Sequence, residues 1–340
     1  MSEKDELVVV AGADGFIGGC LVADLRRQGY KRIRAVGVQP FDEWNQCFSD
    51  VEKFQLDLTD LRNCETAVRD AYQVFMLASV KGGSGFTEKH RVKCMLSVLI
   101  TTHMLMAAQK HGVHKYFYAS SASVYNVSKQ KDADSTPLRE EDAYPADPED
   151  GYGWEKLFGE RLCRHFREDY GLRTRAARYF NVYGPYETWF GGRENATAAI
   201  CRKIIEAKLT GQTEIRVWGD GTQIRSLVYI DDALKGTLMI MNSDVVEPLN
   251  LGSTEIVTVN RLIDVAESIA GLKFKRVYDL SAPKGVGSRR TDNTRIKAAL
   301  AWEPSISLAV GLEKTYRWIY DQYVAYEKHR KGTSQSDSER

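Results

Sequence analysis

Short, largely apolar runs alternate with amphipathic stretches through the first half of the chain. The runs cover residues 7–11, 33–38, 54–58, 74–78, 115–119 and 173–179. Strands that are buried in a parallel sheet have this pattern, and the stretches between them repeat apolar positions at helical spacing. The clearest helical stretches cover residues 16–28, 90–111 and 152–170. The alternation predicts an α/β fold built on a Rossmann-type doubly wound parallel sheet.

The pattern becomes less regular after residue 185, where short strands and helices follow one another. We expect residues 1–185 to form the Rossmann domain and residues 186–326 to form mainly a smaller α/β cap that binds a substrate. Two apolar segments of the second half, 224–229 and 250–252, are expected to return to the main sheet. The charged, serine-rich residues 327–340 predict a disordered tail.

Composition narrows the class of protein. The 340 residues are 43% hydrophobic and 27% charged, which suits a globular protein with a sizeable core. A net charge of +1 gives no general attraction to nucleic acid or to an anionic membrane. Six scattered cysteines without zinc-type spacing favour reduced thiols and no metal site. The chain shows no secretory h-region and no apolar run of membrane-span length, which predicts a cytoplasmic location without membrane contact.

The first strand leads into a glycine-rich turn with the spacing G-x-x-G-x-x-G, whose glycines are Gly12, Gly15 and Gly18. Glycines at these positions permit a tight turn and a close approach of backbone N–H groups to a pyrophosphate, which the following helix N-terminus also attracts. The alternative is an ordinary glycine-rich turn between a strand and a helix. The turn predicts a dinucleotide site.

The end of the second strand departs from the usual dinucleotide pattern. An acidic residue normally stands there and binds the adenosine ribose, but this position holds Gly37. NAD remains the favoured cofactor, and the missing carboxylate leaves NADP open. The residues expected to line the cofactor site are Gly12, Gly15, Phe16, Ile17, Gly18, Val38, Gln39, Asp57, Leu58, Leu77, Ala78, Tyr152 and Lys156.

The candidate catalytic group is Tyr152 with Lys156, four residues apart at the start of a predicted helix. At that spacing both side chains project from one helical face. A tyrosine has an ordinary pKa of about 10, and an ammonium beside it favours the phenolate. Ser121, at the carboxyl end of a predicted strand, supplies a third hydroxyl. A solvent-exposed helix face would by itself explain the Tyr152–Lys156 pair. The order of the glycine-rich turn, Ser121 and this pair along the chain favours a catalytic role.

Two arginines in the second half, Arg225 and Arg289, are candidates for a diphosphate clamp, because guanidinium groups bind phosphate oxygens bidentately. The alternative is that each of these arginines forms only an ion pair on the protein surface. The glycine-rich loop 81–86 is expected to lie beside the nicotinamide and a bound sugar.

Together these motifs resemble the extended short-chain dehydrogenase/reductase superfamily, the nucleotide-sugar epimerases and dehydratases, from Val8 to about Tyr323. Within it, the chain is most similar to the GDP-mannose 3,5-epimerase family. The segments that carry this closer similarity are 82–86, 118–122, 147–153, 181–185, 188–194, 201–203, 218–221 and 292–293.

The resemblance implies that Tyr152 removes the proton of the sugar 4-OH while hydride passes from C4 to tightly held, recycled NAD, with Lys156 lowering the pKa of Tyr152 and Ser121 binding the same hydroxyl. The 4-ketone acidifies the C3 and C5 hydrogens, which a cysteine and a lysine exchange in the family. A homodimer through helices 90–111 and 152–170 is also implied. The residues expected to contact the nucleotide sugar are Gly82, Gly83, Ser123, Asn181, Asn195, Arg202, Trp218, Arg225 and Arg289.

Both members of the family's acid/base pair differ here, since Ser123 stands at the cysteine position and Asn195 at the lysine position. A serine hydroxyl is much less acidic than a thiol, and a carboxamide does not titrate. We therefore expect an epimerase with a changed substrate or a single inverted centre, at C3 or C5. A C4 epimerase or a 4-dehydrogenase/reductase is the first alternative, because that chemistry needs only Tyr152, Lys156, Ser121 and NAD. A non-catalytic nucleotide-sugar binder is the second.

Overall fold

A seven-stranded sheet forms the centre of the computed structural model, which describes residues 3–132, 135–283 and 285–338. From edge to edge its strands are β11 (Leu249–Leu251), β6 (Arg173–Tyr179), β5 (Lys115–Ser121), β4 (Gln73–Met76), β1 (Leu7–Ala11), β2 (Arg32–Gly37) and β3 (Glu52–Gln55). Every neighbouring pair is parallel. The strand order reverses between β1 and β4, and open α/β sheets bind ligands at the carboxyl ends of strands at such a point. The predicted Rossmann-type sheet is confirmed.

Helices cover both faces of this sheet. Within the described residues they are α1 (Phe16–Arg27), α2 (Leu61–Val68), α3 (Ser84–Lys89), α4 (Arg91–Met95), α5 (Ser97–Lys110), α6 (Asp150–Tyr170), α7 (Ala196–Thr210), α8 (Ile230–Met241), α9 (Val259–Ala270), α10 (Thr294–Leu300) and α11 (Leu308–Ser338). The helix predicted over 90–111 is therefore split into α4 and α5, and part of the predicted loop 81–86 belongs to α3.

The burial of β1 shows why the apolar runs form central strands. All five of its residues are buried. Val8 and Val10 pack into the core on one face, whereas Val9 and Ala11 pack into the core on the other. Successive side chains of a strand point to opposite faces, so a strand covered by helices on both sides must be apolar at every position.

The second half of the chain adds three small sheets. Their strands are β7 (Val182–Tyr183), β8 (Glu214–Trp218), β9 (Ile224–Arg225), β10 (Val228–Tyr229), β12 (Val257–Thr258), β13 (Lys275–Asp279) and β14 (Ser288–Arg289). The pairings are β7 with β10, β8 with β13, and β9 with both β12 and β14. Of the two segments expected to rejoin the main sheet, 250–252 does so through β11. The expectation for 224–229 is wrong, because β11 already occupies the edge of β6 and these residues pair within the small sheets.

The last helix corrects the expectation of a disordered tail. Helix α11 continues to Ser338, and residues 339 and 340 lie outside the described residues. Its middle is held by an aromatic cluster, in which the ring of Trp189 lies 6.1 Å from those of both Tyr323 and Tyr326, centre to centre. The ring of Phe190 lies 5.3 Å from Tyr326. This packing stabilises the helix stem, from which helical hydrogen bonding propagates at little cost per residue.

One stretch of the described residues, Arg91–Lys110, is long and apolar enough to cross a membrane by length and composition, with a mean hydropathy of 1.3. The expectation that no run reaches this length is therefore wrong. A single such stretch is weak evidence, because a core helix of a globular domain passes the same test. Here the stretch packs along α6 and still exposes Val92, Met95, Leu96 and Leu99.

Candidate active site

The glycine-rich turn after β1 fits a dinucleotide diphosphate. Gly12 has a φ of +87°, and a Cβ there would lie 2.8 Å from the backbone nitrogen of Ala78. A Cβ on Gly18 would lie 2.0 Å from the carbonyl oxygen of Gly12. The N-cap residue of α1, Gly15, offers no side-chain hydrogen bond to the first turn. The first N–H groups of the helix therefore remain available to an anion.

Asp14 supplies the carboxylate that the end of β2 lacks. Its Oδ2 accepts hydrogen bonds from the backbone N–H groups of Val38, at 2.9 Å, and Gln39, at 3.1 Å. A Cβ on Gly37 would lie 2.5 Å from the Asp14 Cγ, so glycine leaves the space that this carboxylate occupies. Sequence reasoning missed this residue, because a motif search looks for the acid on β2 itself. The carboxylate reaches the same place from the preceding turn.

The other predicted cofactor residues surround the same crevice, with differing exposure. Val38 is 53% exposed at the end of β2, whereas the side chain of Leu58 is buried in the core, which leaves its backbone alone for a ligand. The carboxylate of Asp57 accepts hydrogen bonds from the backbone and hydroxyl of Thr59. The N–H of Leu77 donates to the carbonyl oxygen of Ala11 at 2.9 Å. This hydrogen bond extends the pairing of β4 with β1 toward the glycine-rich turn.

The phenol of Tyr152 lies at the start of α6 beside two serine hydroxyls. Burial, followed by the charge of Glu155, raises the pKa of Tyr152 above its ordinary value, while hydrogen bonds from Ser121 and Ser79 lower it in part. Only 7% of the Tyr152 residue surface is exposed. The expected contact between Tyr152 and Ser121 is present in the structure, and Ser79, after β4, is a partner that sequence reasoning missed.

Lys156 lies near the ring of Tyr152, and its expected effect on the pKa of Tyr152 stays a prediction. Its Nζ lies 5.6 Å from the centre of the Tyr152 ring and 5.0 Å from that of Tyr118. The same ammonium lies 3.4 Å from Oε2 of Glu155. Glu155 also accepts hydrogen bonds from Thr101, at 3.0 Å, and Tyr118, at 3.2 Å. Burial of the phenol, followed by the charge of Glu155, therefore determines the raised pKa of Tyr152.

Ser123 belongs to a polar chain that leads to the two predicted arginines. Its side chain hydrogen-bonds the carboxylate of Glu149, which also accepts from Arg289. Burial alone would raise the pKa of Glu149, but the charge and hydrogen bond of Arg289, helped by Arg225, bring it below its ordinary value. Glu149 is therefore held as a carboxylate. Burial, followed by the charge of Arg289, lowers the pKa of Arg225 to about 10.

Loop 81–83 packs against the segment that carries Asn195. The N–H of Gly83 donates to the carbonyl of Arg193 at 3.0 Å, and a Cβ on Gly83 would lie 2.5 Å from the carbonyl oxygen of Glu194. The ring of Trp218, which is 48% exposed, would lie 3.3 Å from a Cβ on Gly85. These contacts bring the predicted sugar-facing loop, Asn195 and Trp218 around one cleft.

Two predicted substrate residues are engaged in structural contacts. Arg202 lies 3.1 Å from the carboxylate of Glu194 and 3.3 Å from that of Glu206. Asn181, with a φ of +32°, donates from its carboxamide to the carbonyl of Ser226 at 2.9 Å. Their roles in substrate binding stay predictions.

Comparisons with known proteins agree with this arrangement. Residues 8–252 match the model of the NAD dependent epimerase/dehydratase family. The GDP-mannose 3,5-epimerase of Arabidopsis thaliana is 38% identical over 316 residues, which cover 93% of this chain and 82% of the relative. The structure of MoeE5 in complex with UDP-glucuronic acid and NAD is 28% identical, with a TM-score of 0.77, and the match covers 93% of this chain and 99% of that chain.

A third similarity concerns the fold alone. UDP-glucose 4-epimerase of Thermotoga maritima is 24% identical with a TM-score of 0.82, over 93% of this chain and 99% of that chain. The resemblance found from the motifs is confirmed, and the cofactor is NAD. The chain belongs to the NAD-dependent epimerase/dehydratase family, the nucleotide-sugar epimerases of the extended short-chain dehydrogenase/reductase type.

Proposed function

We propose that the protein epimerises a GDP-hexose through transient oxidation at C4 of the sugar, followed by inversion at a single neighbouring carbon, C3 or C5. The observation that carries the proposal is the buried Tyr152 phenol, hydrogen-bonded by Ser121 and Ser79, with Lys156 on the same helix. When bound, NAD supplies the hydride acceptor for C4 and, in its oxidised form, a positive charge that favours the phenolate.

The protein's own residues would handle the proton of the 4-OH. Tyr152 takes this proton as hydride leaves C4, and returns it when the ketone is reduced again. Ser121 and Ser79 hold the phenol in place and donate hydrogen bonds to the developing phenolate. The 4-ketone formed in between makes the hydrogens on C3 and C5 acidic, which opens the route to inversion.

The GDP part of the proposal rests on the similarity to the GDP-mannose 3,5-epimerase of Arabidopsis thaliana and on the arginine pair. Arg225 and Arg289 occupy paired positions of parallel strands β9 and β14. Two guanidinium groups with one carboxylate, Glu149, between them leave a positive site that suits a diphosphate.

A C4 epimerase is the second candidate, and a specific observation favours it. Ser123, at the position of the family's cysteine, has its side chain hydrogen-bonded to the ionised Glu149 rather than poised as an acid. A 4-epimerase needs only the oxidation residues and room for the ketone to turn. Deuterium incorporation distinguishes the two candidates, because C4 epimerisation by hydride return leaves C3 and C5 unexchanged.

We also propose a homodimer in the cytoplasm. Helices α4 and α5 lie along α6, and these helices expose an apolar patch made of Val92, Met95, Leu96, Leu99, Trp154 and Phe158. A patch of this kind on a globular protein favours association with a second copy. All six cysteines are free thiols, which suits a reducing compartment.

The test is proton NMR of the protein with NAD and a panel of GDP-, ADP- and UDP-hexoses in D2O, beginning with GDP-mannose. The proposal predicts a new GDP-hexose diastereomer with deuterium at one inverted carbon, C3 or C5. A new C4 epimer without ring deuterium would favour the second candidate. An unchanged panel, with intact NAD binding, would contradict epimerase activity on these sugars.

A further inference from the structure

The ammonium of Lys81 lies within reach of charges from both the oxidation residues and the arginine pair. The residue follows β4 in the loop that leads to Gly82 and Gly83. The charges that act on its ammonium are those of Lys156, Arg289 and Glu187. Lys156 shares a helix with Tyr152, and Arg289 belongs to the proposed diphosphate site. A hexose that reaches from Tyr152 to the proposed diphosphate site would therefore pass near Lys81.

Glu187 lies in the loop between β7 and α7, and its charge acts on the ammonium of Lys81. Its residue surface is 1% exposed. Its Oε1 accepts a long hydrogen bond, 3.5 Å, from the N–H of Gly184, the side chains of Asn195 and Thr197 lie near the carboxylate, and its Oε2 has no hydrogen-bond partner within the described residues. A buried carboxylate so weakly satisfied is costly unless it is protonated or meets a ligand.

Contacts between the two loops place this pair at the position where the family's lysine is missing. The loop of Lys81 is hydrogen-bonded to the segment before Asn195 through Gly83 and Arg193, at 3.0 Å. The side chain of Asn195 in turn interacts with the carboxylate of Glu187. Glu187 therefore lies beside Asn195, whose side chain cannot exchange protons near neutral pH, and the loop of Lys81 packs on the segment just before it.

The surroundings of Glu187 and Lys81 bring the pKa values of the two groups close to each other. Burial raises the pKa of Glu187 to about 8, against a hydrogen bond from Gly184 and the charge of Lys81. Although the Lys81 residue is exposed overall, desolvation of its ammonium by the surrounding protein, followed by the charges of Lys156 and Arg289, lowers its pKa to about 8. Each group can therefore hold or release a proton near neutral pH. Glu149 cannot, because Arg289 keeps it ionised.

We propose that Lys81 and Glu187 are the acid and base that exchange the ring hydrogen next to the 4-ketone; this inference rests on the proposed function. One group, as neutral amine or carboxylate, takes the proton from C3 or C5. The C–H electron pair forms a carbon–carbon double bond, and the ketone π electrons move to oxygen to give an enolate.

The other group, as carboxylic acid or ammonium, then delivers a proton to the opposite face of the same carbon. The enolate electrons form the new C–H bond, and the ketone is restored with inverted configuration. Neither sugar nor protein is oxidised or reduced in this exchange. The pair recovers its starting state when one proton passes from the former base to the former acid through solvent. In the reverse reaction the two groups change roles.

The test separates ring exchange from oxidation on the same sample. The variants Lys81→Met and Glu187→Gln keep side-chain size and remove the titrating group. Each is incubated with GDP-mannose and NAD in D2O, with absorbance reporting the transient reduced cofactor and NMR reporting deuterium at C3 and C5. We expect both variants to reduce the cofactor at rates within a few-fold of the parent while ring exchange falls at least about 100-fold.

Exposed residues provide matched controls. Lys89→Met, at the end of α3, and Glu313→Gln, in a surface pair with Arg317, should exchange ring hydrogens like the parent. Thermal unfolding and bound NAD of the two site variants report any loss of fold. A purely structural Lys81–Glu187 pair would impair oxidation and exchange together, which overturns the proposal.

Two further outcomes also contradict it. Variants that exchange deuterium at the rate of the parent would show that other groups carry the proton. A parent that reduces the cofactor with GDP-mannose but exchanges neither C3 nor C5 would overturn this inference and leave C4 oxidation intact. A parent that oxidises no sugar of the GDP, ADP and UDP panel would overturn the proposed function itself.

Discussion

Arg225 and Arg289 stand opposite each other on adjacent parallel strands, β9 and β14. Arg289 is tied to Glu149 and to the carboxamide of Gln130, at 3.0 Å, whereas Arg225 donates to the carbonyl groups of Ile224, at 2.8 Å, and Val286, at 2.9 Å. Burial and the charge of Arg289 lower the pKa of Arg225 to about 10. The guanidinium groups of Arg225 and Arg289 repel each other, and the single carboxylate of Glu149 offsets this repulsion only in part. A bound nucleotide diphosphate would relieve it.

The first prediction concerns this pair. Arg225→Met should weaken binding of GDP by about tenfold or more, because one charge-assisted phosphate contact contributes about 1.5–3 kcal/mol. Isothermal titration calorimetry of the NAD-loaded protein measures the change. Arg216→Met, which removes an exposed pair with Asp279, is the control and should bind GDP like the parent. If the Arg225 variant binds GDP as tightly as the parent does, this arginine contributes to fold stability and not to GDP binding.

The second prediction restores the family's acid/base pair. Ser123→Cys with Asn195→Lys, made in the Lys81→Met background, should recover at least about tenfold of the lost C3 or C5 exchange, since general acid/base groups contribute about 100-fold or more. The new ammonium would stand beside Glu187, which already interacts with Asn195. Deuterium incorporation by NMR is the measurement. If exchange stays at the level of the single variant while GDP-mannose still binds, positions 123 and 195 do not face the sugar.

The third prediction concerns cofactor choice. The carboxylate of Asp14 occupies the end of β2, where it would repel the 2′-phosphate of NADP. Asp14→Asn keeps an acceptor for the N–H groups of Val38 and Gln39 but removes the charge. We expect the preference for NAD over NADP to fall by about tenfold, equivalent to about 1.4 kcal/mol. Competition binding of the two dinucleotides measures it, with Asp24→Asn on α1 as control. If the ratio of the affinities for NAD and NADP equals that of the parent, Asp14 does not discriminate between the two cofactors.

The fourth prediction tests the proposed dimer. Met95 is 50% exposed within the apolar patch on α4, α5 and α6. Met95→Glu would place a charge in the interface and should shift the protein from dimer to monomer in sedimentation velocity experiments. Leu280→Glu, at a 73% exposed position outside the patch, should leave the dimer intact. A parent protein that sediments as a monomer at micromolar concentration would refute the proposal directly.

The sequence was sufficient to predict the main sheet, because central strands such as β1 are apolar and buried at every position and the remaining strands still contain short apolar runs between helical stretches. It was insufficient for the small strands of the cap, which span two to five residues and owe their pairing to tertiary neighbours rather than to their own pattern. The end of α11 was missed for a similar reason. Its composition is that of a tail, and the aromatic cluster that stabilises its stem comes from Trp189 and Phe190, far away in sequence.

Motif spacing found Tyr152, Lys156 and Ser121 but could not give their electrostatics. Spacing places an ammonium near a phenol; it does not show that Glu155 lies closer to that ammonium or that burial dominates the pKa of Tyr152. Asp14 and Lys81 lie within the two glycine-rich segments found from the sequence, but at positions to which those patterns assign no role, and Glu187 lies outside the motifs. Each becomes a candidate only when the fold brings distant loops together.

In the proposed reaction, Tyr152 takes the proton of the 4-OH while the sugar is oxidised at C4, and the same carbon is then reduced again. The prediction is that Tyr152→Phe lowers turnover at least about 100-fold and keeps the fold, because the buried ring remains. Tyr170→Phe, at a 62% exposed position at the end of the same helix, should keep parental activity. A Tyr152→Phe variant with most of its activity would refute the assigned proton transfer.

The most direct measurement uses GDP-mannose carrying deuterium at C4, followed by rapid-scanning absorbance and by NMR of the product. We expect the label to slow appearance of the reduced cofactor, Tyr152→Phe to suppress this signal, and the deuterium to be found again at C4 of the product epimer. A product epimer formed without a reduced-cofactor signal and without an isotope effect, or one whose C4 label has been lost to solvent, would contradict oxidation and return of hydride at C4.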